Sequence, residues 1–320
     1  MSAPSDSGSR PAVPACVIWN QGAGRKAGLS TNAGPAEGEL PALFEAAGVP
    51  VEIAATASED EAVQRTREAV AAGAGAVIAA GGDGTVRVVA RTLVAAAREQ
   101  AGTPGPALGI LPLGSVMNVA RSLGIPRELD EAVRLIARGE VREIDTVEAA
   151  GETFLEGIAV GLHAELFAEG AAFDEGDATA PLRGMWTALR YQPSRLTLHL
   201  DDRRVRTRAL VVSVSNGPYS GLAFTVAPGA RMDDGLLDVR VFERFSRWEL
   251  ARHFLAIAAG RRAYEPRVLT FRSAHVRIES ASPLRVRADG EAIGETPVEI
   301  RVQPRSLRVL GPPPGAAGAA

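Results

Sequence analysis

The residues best placed to do chemistry sit in short glycine turns that carry one or two polar side chains. The apolar run Val77-Ile78-Ala79-Ala80 passes directly into Gly81-Gly82-Asp83-Gly84-Thr85 and then into a helical pattern. Glycines at such a junction let the backbone turn sharply and approach a ligand. The helix that follows offers free N–H groups and a positive dipole end to an anion. Phosphates bind at this kind of place, at the carboxyl end of a strand in an α/β sheet. The spacing matches neither a Walker loop nor GxGxxG. The plainer alternative is a β–α turn capped by Asp83. A second turn, Gly114-Ser115-Val116-Met117-Asn118, follows the strand-like Gly109-Ile110-Leu111 and opens another helix. Two such turns on neighbouring strands would make one phosphate cleft. A third, Asn20-Gln21-Gly22-Ala23-Gly24-Arg25-Lys26, adds glycines and two cations after the first strand.

Two acidic turns lie later in the chain. Ala288-Asp289-Gly290-Glu291 reads as a type I′ hairpin turn, or as a carboxylate pair of which one member takes a proton from a hydroxyl nucleophile. Ala230-Arg231-Met232-Asp233-Asp234-Gly235-Leu236-Leu237-Asp238 puts three acids in six residues. Oxygen-rich turns suit a hard cation such as Mg²⁺, and a solvated turn fits equally well. The four histidines (His163, His199, His253, His275) have no metal-ligand spacing, and Cys16 has no partner; all read as packing residues. Arg203, Arg204, Arg206 and Arg208 read as a solvated strand face, with lipid head groups as the alternative contact.

These turns need a frame, and hydrophobic periodicity supplies one. Strands are expected at 15–19, 51–54, 76–80 and 108–111. They alternate with helices at 40–47, 58–72, 85–99 and 129–138, a parallel α/β rhythm. Ser58 and Glu61 form a capping box. Near Val141 the rhythm changes to β stretches at 141–148, 196–200, 205–215, 236–242, 268–271, 276–279, 284–287, 298–302 and 307–310. Several of these alternate polar and apolar residues, as antiparallel strands do. One helix is expected at 247–259. The resulting organisation is a loose tail over 1–12, an α/β domain over 13–142, a β-sandwich over 143–312 whose last strand returns to the first domain or stays with the second, and a tail over 313–320.

Composition narrows the class. The chain has 320 residues, 46% hydrophobic and 23% charged, with 35 Lys+Arg against 38 Asp+Glu. That is globular composition without the basic footprint of a nucleic-acid binder. One cysteine fits a reducing compartment. No run of about 18 apolar residues occurs, and the first 14 residues lack the apolar core of a secretory signal. A cytoplasmic protein with peripheral membrane contact is expected, and a homodimer fits base rates.

Taken together and in order, GGDGT after a strand, the stretch from Pro112 to Pro126 (PLGSVMNVARSLGIP), Ala227-Pro228-Gly229-Ala230 followed by Asp233-Asp234-Gly235-Leu236-Leu237-Asp238, and the late Asp289-Gly290-Glu291 resemble the diacylglycerol kinase catalytic family. The likeness is closer to its bacterial lipid kinases, which are relatives of sphingosine kinases and more distantly of NAD kinases. It covers about residues 17–312. It implies an N-terminal Rossmann-like, NAD-kinase-like α/β domain, a C-terminal β-sandwich and an active site between them. The implied activity is transfer of the γ-phosphoryl group of ATP to the hydroxyl of a diacylglycerol-like lipid at a membrane surface, with Mg²⁺. By position, Gly81, Gly82, Asp83, Gly84 and Thr85 would cradle the phosphates, Asp83 also with a catalytic role. Asn20, Gly22, Gly24, Thr56, Gly114 and Ser115 would line the nucleotide site. Glu291, beside Asp289, would be the general base. Arg231, Asp234 and Leu236 would match a Mg²⁺ loop that also uses backbone oxygens.

The sequence departs from that pattern at named positions. Asn-Pro-x-Ser-Gly is common in the family where Asn20-Gln21-Gly22-Ala23-Gly24 stands, and Asn-Glu where Arg87 and Val88 stand. Gly-Thr-Gly-Asn-Asp-Phe-Ala-Arg appears here as Gly114-Ser115-Val116-Met117-Asn118-Val119-Ala120-Arg121. Asn118 removes a negative charge able to hold Mg²⁺ or its waters, and Arg87 offers a direct phosphate contact. These changes motivate a second reading, a catalytically impaired lipid- or nucleotide-binding sensor on a kinase scaffold. A kinase for a water-soluble acceptor is a third.

Overall fold

The computed structural model describes residues 15–23, 35–36, 38–100, 104–166, 177, 179–220, 224–243 and 268–313. The helix expected at 247–259, the tail 1–12, most of the tail 313–320, and Gly24, Arg25 and Lys26 lie outside the described residues.

Strand and helix alternate through the first part as the periodicity requires: β1 (Ala15–Asn20), α1 (Glu39–Ala46), β2 (Val51–Thr56), α2 (Glu59–Ala71), β3 (Ala76–Gly81), α3 (Asp83–Glu99), β4 (Ala107–Pro112), α4 (Asn118–Leu123) and α5 (Leu129–Arg138). Local chemistry sets the ends. Ser58 Oγ accepts the Glu61 N–H at 3.2 Å, and Glu61 Oε2 accepts the Ala57 N–H at 2.7 Å. The reciprocal contact thus reaches one residue further back than in a standard capping box. After α5, Gly139 takes the left-handed conformation. The four strands are parallel in the order β2-β1-β3-β4. Val77, Ile78, Ala79 and Ala80 are wholly buried between helix layers, which is why β3 reads as a continuous apolar run.

The second part is antiparallel: β5 (Val141–Ala149), β6 (Glu152–Phe154), β7 (Gly157–Gly161), β8 (Ser194–Leu200), β9 (Arg203–Ala209), β10 (Val211–Ser215), β11 (Tyr219–Ser220), β12 (Phe224–Thr225), β13 (Leu237–Phe242), β14 (Val268–Ser273), β15 (His275–Ser280), β16 (Arg285–Ala288), β17 (Glu291–Glu295) and β18 (Val298–Leu310). Among the described residues, six of them form one sheet in the order β14-β13-β10-β7-β16-β17. The facing sheet continues from the parallel strands as β4-β18-β15-β8-β9, with β5 also on β18. Apolar side chains from both, among them Val160, Val212, Val239, Val276, Ile278 and Ile300, make the second core. The fold is therefore an α/β unit followed by a β-sandwich. Among the described residues no helix is long and apolar enough to cross a membrane.

Two sequence expectations are corrected. The stretch 205–215 is two strands: the chain bends at Leu210 and passes from one sheet to the other. The alternation breaks at Ala209-Leu210-Val211-Val212, four apolar residues across which the core-facing positions change from odd (Val205, Ala209) to even (Val212, Val214), and, read as one continuous strand, that run conceals the change of sheet. The stretches 298–302 and 307–310 are one strand, β18, with a register shift between Gln303 and Leu307. That strand pairs in parallel with β4 through Val309 and Leu108, and antiparallel with β15 through Ile300 and Val276.

Leu307 lies in the first core and Ile300 in the second, seven residues apart on one strand. Leu307→Ala and Ile300→Ala should each cost about 2–5 kcal/mol and shift the same single urea transition, seen alike by circular dichroism and fluorescence. Two separable transitions, each sensitive to one substitution, would contradict this coupling.

Candidate functional site

The candidate site begins at the carboxyl edge of the parallel strands. Asn20 ends β1, Thr56 ends β2, Gly81 ends β3, and Gly114 and Ser115 follow β4. The chain turns outward in both directions from β1 and β3, so the crevice between them is a topological switch point, where α/β sheets bind ligands. Asn20 Oδ1 accepts the Gly22 N–H at 2.9 Å and its Nδ2 donates to Thr85 Oγ1 at 3.3 Å, which links the first loop to the glycine loop. Thr56 is buried, its hydroxyl donating to the Trp19 carbonyl at 3.3 Å. Gly24 lies outside the described residues.

Two close approaches explain the glycines. A Cβ on Gly81 would meet Thr85 Oγ1 at 2.3 Å, and one on Gly114 would meet the Gly82 Cα at 2.7 Å. The loops after β3 and β4 therefore touch backbone to backbone. Gly82 is the N-cap of the 17-residue α3 and provides no side-chain cap, leaving the first-turn N–H groups open to an anion. Arg127 holds the second loop by donating to the carbonyls of Gly114 and Ser115 at 3.0 and 2.9 Å.

Asp83 joins the two loops. Its Oδ2 accepts the Met117 N–H at 2.8 Å, at the start of α4. Burial pushes its carboxyl up, against the backbone N–H groups of Met117, Asn118 and Val119. Its Oδ1 is buried without a hydrogen-bond partner.

The acidic turn of the sandwich arrives from the other side. Asp289 and Gly290 both have positive φ, at 45° and 85°, so the hairpin reading holds. The two carboxylates divide. Asp289 is half-buried, with its carboxylate turned inward to accept three backbone N–H groups, from Leu155 at 2.7 Å, Glu156 at 2.9 Å and Gly157 at 3.0 Å. Burial pushes its carboxyl up, and those three donors pull the other way. Glu291 is about one-third exposed and pairs with Arg87 at 2.6 Å. Arg87 also donates to Glu59 at 3.1 Å and to the Asp289 carbonyl at 3.4 Å. It therefore ties α3 and α2 to the hairpin.

Sequence reading missed the segment that receives Asp289. Glu156 is buried and its Oε2 accepts the Asn118 Nδ2 hydrogen at 2.9 Å. Asn216, also buried, donates to the carbonyls of Asp145 and Leu155 at 2.9 Å each, and its own N–H donates to the Glu156 carbonyl at 2.8 Å. A lone Glu before an apolar run carries no pattern, and only the fold brings it to Asn118.

The Arg231–Asp238 turn is a separate place. Arg231 pairs with Asp233 at 3.0 Å, and Asp234 Oδ1 accepts the Leu236 N–H at 3.1 Å. Arg272 pairs with Asp234 and, at 3.6 Å, with Asp238. Arg272 thus already meets two of the carboxylates of this turn. Among the described residues no group of three or more His, Cys, Asp or Glu side chains gathers as a metal site. A metal beside the glycine loops would take part of its ligand set from phosphate oxygens, as Mg²⁺ commonly does. The buried, unpartnered Asp83 Oδ1 fits such a cation.

Comparison with known proteins agrees with this architecture. The diacylglycerol kinase catalytic domain model matches residues 14–149, and the YegS C-terminal NAD kinase beta sandwich-like domain model matches residues 158–311. The chain is 29% identical over 275 residues to "Probable lipid kinase YegS" of Escherichia fergusonii, covering 85% of this chain and 89% of that protein. It is 28% identical over 277 residues to "Lipid kinase YegS" of Escherichia coli K12, with the same coverage. A solved diacylglycerol kinase from Bacillus anthracis str. Sterne shares the fold, with a TM-score of 0.69 at 21% identity over 94% of this chain and 97% of that one. With both domains matched in order around the cleft just described, the chain belongs to the diacylglycerol kinase catalytic family, among the YegS-like lipid kinases.

Proposed function

We propose that the chain transfers the γ-phosphoryl group of ATP to the hydroxyl of a diacylglycerol-like lipid at a membrane surface. One observation carries this reading: two touching glycine loops at the carboxyl edge of the parallel sheet lie opposite a sandwich hairpin that brings Glu291 to the start of α3. Phosphoryl transfer depends on positioning and charge neutralisation more than on covalent chemistry. Gly81 to Thr85 and the first turn of α3 hold the phosphates. Asn20, Gly22, Thr56, Gly114 and Ser115 line the nucleotide side. Glu291 takes the proton as the lipid oxygen bonds to the γ-phosphorus and the bond to the ADP oxygen breaks. Arg87 orients Glu291 and closes the hairpin against α3. When bound, Mg²⁺ offsets the charge on the transferred group, and Asp83 fits its neighbourhood.

The lipid side is supported by the Ala180–Arg190 helix. Leu182, Met185 and Trp186, at helical spacing, are 65%, 56% and 57% exposed. Arg190 lies over the Trp186 ring at 3.9 Å. An apolar helix face bordered by arginine suits an anionic lipid interface.

The test is phosphate transfer from labelled ATP to lipid in mixed micelles. Glu291→Gln should lower kcat by about 10²- to 10⁴-fold, the usual weight of a general base, and Asp83→Ala should abolish transfer. Full activity in either variant would refute that residue's role. Nucleotide binding with no labelled lipid in the wild type would favour the sensor reading, which Asn118 motivates. Separately, phosphatidylglycerol vesicles should blue-shift tryptophan emission in the wild type and not in Trp186→Phe. Leu182→Asp with Met185→Asp should depress activity on vesicles while sparing a short-chain dispersed lipid. Equal loss on both substrates would remove this helix from membrane docking.

A further inference from the structure

The outer face of the sandwich carries a line of cations that the cleft does not use. Among the described residues β9 is the last strand of its sheet, and β8 lies between it and β15. Val205 and Ala209 of β9 face the core, so Arg204, Arg206 and Arg208 project from the opposite face, where all three are exposed. The register sets exposed Arg195 of β8 directly opposite Arg208, Thr197 opposite Arg206 and His199 opposite Arg204. Four arginines thus share one face across two strands. Among the described residues no carboxylate pairs with any of the four. The acids nearest on that face are taken. Glu279 pairs with Arg277 at 3.0 Å and His199 at 3.4 Å, and Glu299 with Arg301 at 2.6 Å and His275 at 2.8 Å.

We infer that this arginine face of β8 and β9 is the electrostatic half of the membrane-docking surface, and that its partner is a bilayer rich in anionic lipid. The inference rests on the membrane-surface reading above. Like charges directly opposite on paired strands are destabilising, so the Arg195–Arg208 pair weakens the sheet until an anion meets it. Charge on an edge strand also deters pairing between chains, but β9 alone would meet that need, and Arg195 stands on an interior strand. The cluster also runs against the sign of the whole chain, whose net charge is −3. Arg195, Arg206 and Arg208 border a hollow of about 670 Å³, with the hydroxyl side chains of Thr197 and Ser280. Guanidinium groups beside hydroxyls are donors suited to phosphate oxygens. Glu243 and Glu279 reach the hollow too, but Glu243 accepts from Thr207 at 2.5 Å and Glu279 has the partners just named. Arg204 and Arg208 are about 13 Å apart along the strand, a spread that fits a plane of many head groups better than a single phosphate. Four residues separate Arg190, the end of the exposed Ala180–Arg190 helix, from Arg195. Their Cα atoms are therefore within about 18 Å of each other. Attachment at an interface grows with buried apolar area and with attraction to anionic lipid. The helix supplies the first and β8–β9 the second.

Co-sedimentation of the full chain with vesicles, without ATP, reads docking apart from turnover. The wild type should bind vesicles of equal parts phosphatidylglycerol and phosphatidylcholine, and far more weakly in about 0.5 M NaCl, where charges are screened within a few ångströms. Arg195→Gln with Arg208→Gln, and separately Arg204→Gln with Arg206→Gln, should each lower the partition constant about 25-fold, about five-fold per arginine. Phosphate transfer to a dispersed short-chain lipid should stay at the wild-type rate in both. The thermal midpoint of the first double variant should equal or exceed the wild-type value, because a repulsion is removed. Wild-type vesicle affinity in both double variants would overturn the inference and leave docking to the helix alone. Equal binding to pure phosphatidylcholine would overturn it as well, and so would retention on heparin with no binding to anionic vesicles, which would assign the face to a soluble polyanion. A wild type that docks through these arginines yet transfers no phosphate to lipid would uphold the surface and overturn the proposed reaction.

Discussion

The site depends on a buried carboxylate, Asp289. A charge taken out of water is strongly destabilising unless donors meet it. Here three successive backbone N–H groups do so, from Leu155, Glu156 and Gly157. The requirement is mutual, because those donors stand at the entry to β7 and would otherwise lack partners of comparable strength. It locks the β16–β17 hairpin to the segment joining β6 and β7. The position of Glu291 and the path of the backbone at Glu156 follow from that lock.

From this point the contacts close into a circuit. Asp289 holds Glu156, Glu156 meets Asn118, and Asn118 follows the residue that Asp83 captures. Asp83 opens α3, one turn later α3 carries Arg87, and Arg87 returns to Glu291 and to the Asp289 carbonyl. The parallel sheet edge and the sandwich are thus tied by charge-assisted contacts through short loops. β18 ties the same two parts by packing, with one end in each core. Residues supplied by distant stretches of sequence are held in register by this double connection. Catalysis that relies on positioning requires such rigidity.

Much of this was legible in the sequence for specific reasons. Period-3.6 stripes and glycine stops placed the helices of the first part within a residue or two, because each stripe has a single sheet to cover. The glycine turns were recognisable because close approach demands glycine there: a Cβ on Gly81 would collide with the Thr85 side chain and one on Gly114 with the Gly82 backbone. The change of sheet within 205–215 lies in the apolar run Ala209-Leu210-Val211-Val212, where the core-facing parity flips with no Gly, Pro or polar turn signal to mark it. The strand β7 was overlooked because it is buried on both faces, leaving no alternation to read. Glu156 and Asn216 carry no local signature at all. Their roles come from partners 38 to 71 residues away. Asp289 shows the two levels together: the Asp-Gly turn was visible, and the three donors that bury its carboxylate were not.

The most direct test of the account is a structure of the full chain with Mg²⁺ and a non-hydrolysable ATP analogue. The account predicts the triphosphate against Gly81 to Thr85 and the α3 N-terminus, with the γ-phosphorus turned toward the Asp289–Glu291 hairpin. A triphosphate bound elsewhere, or one whose γ-phosphorus faces away from Glu291, would contradict it.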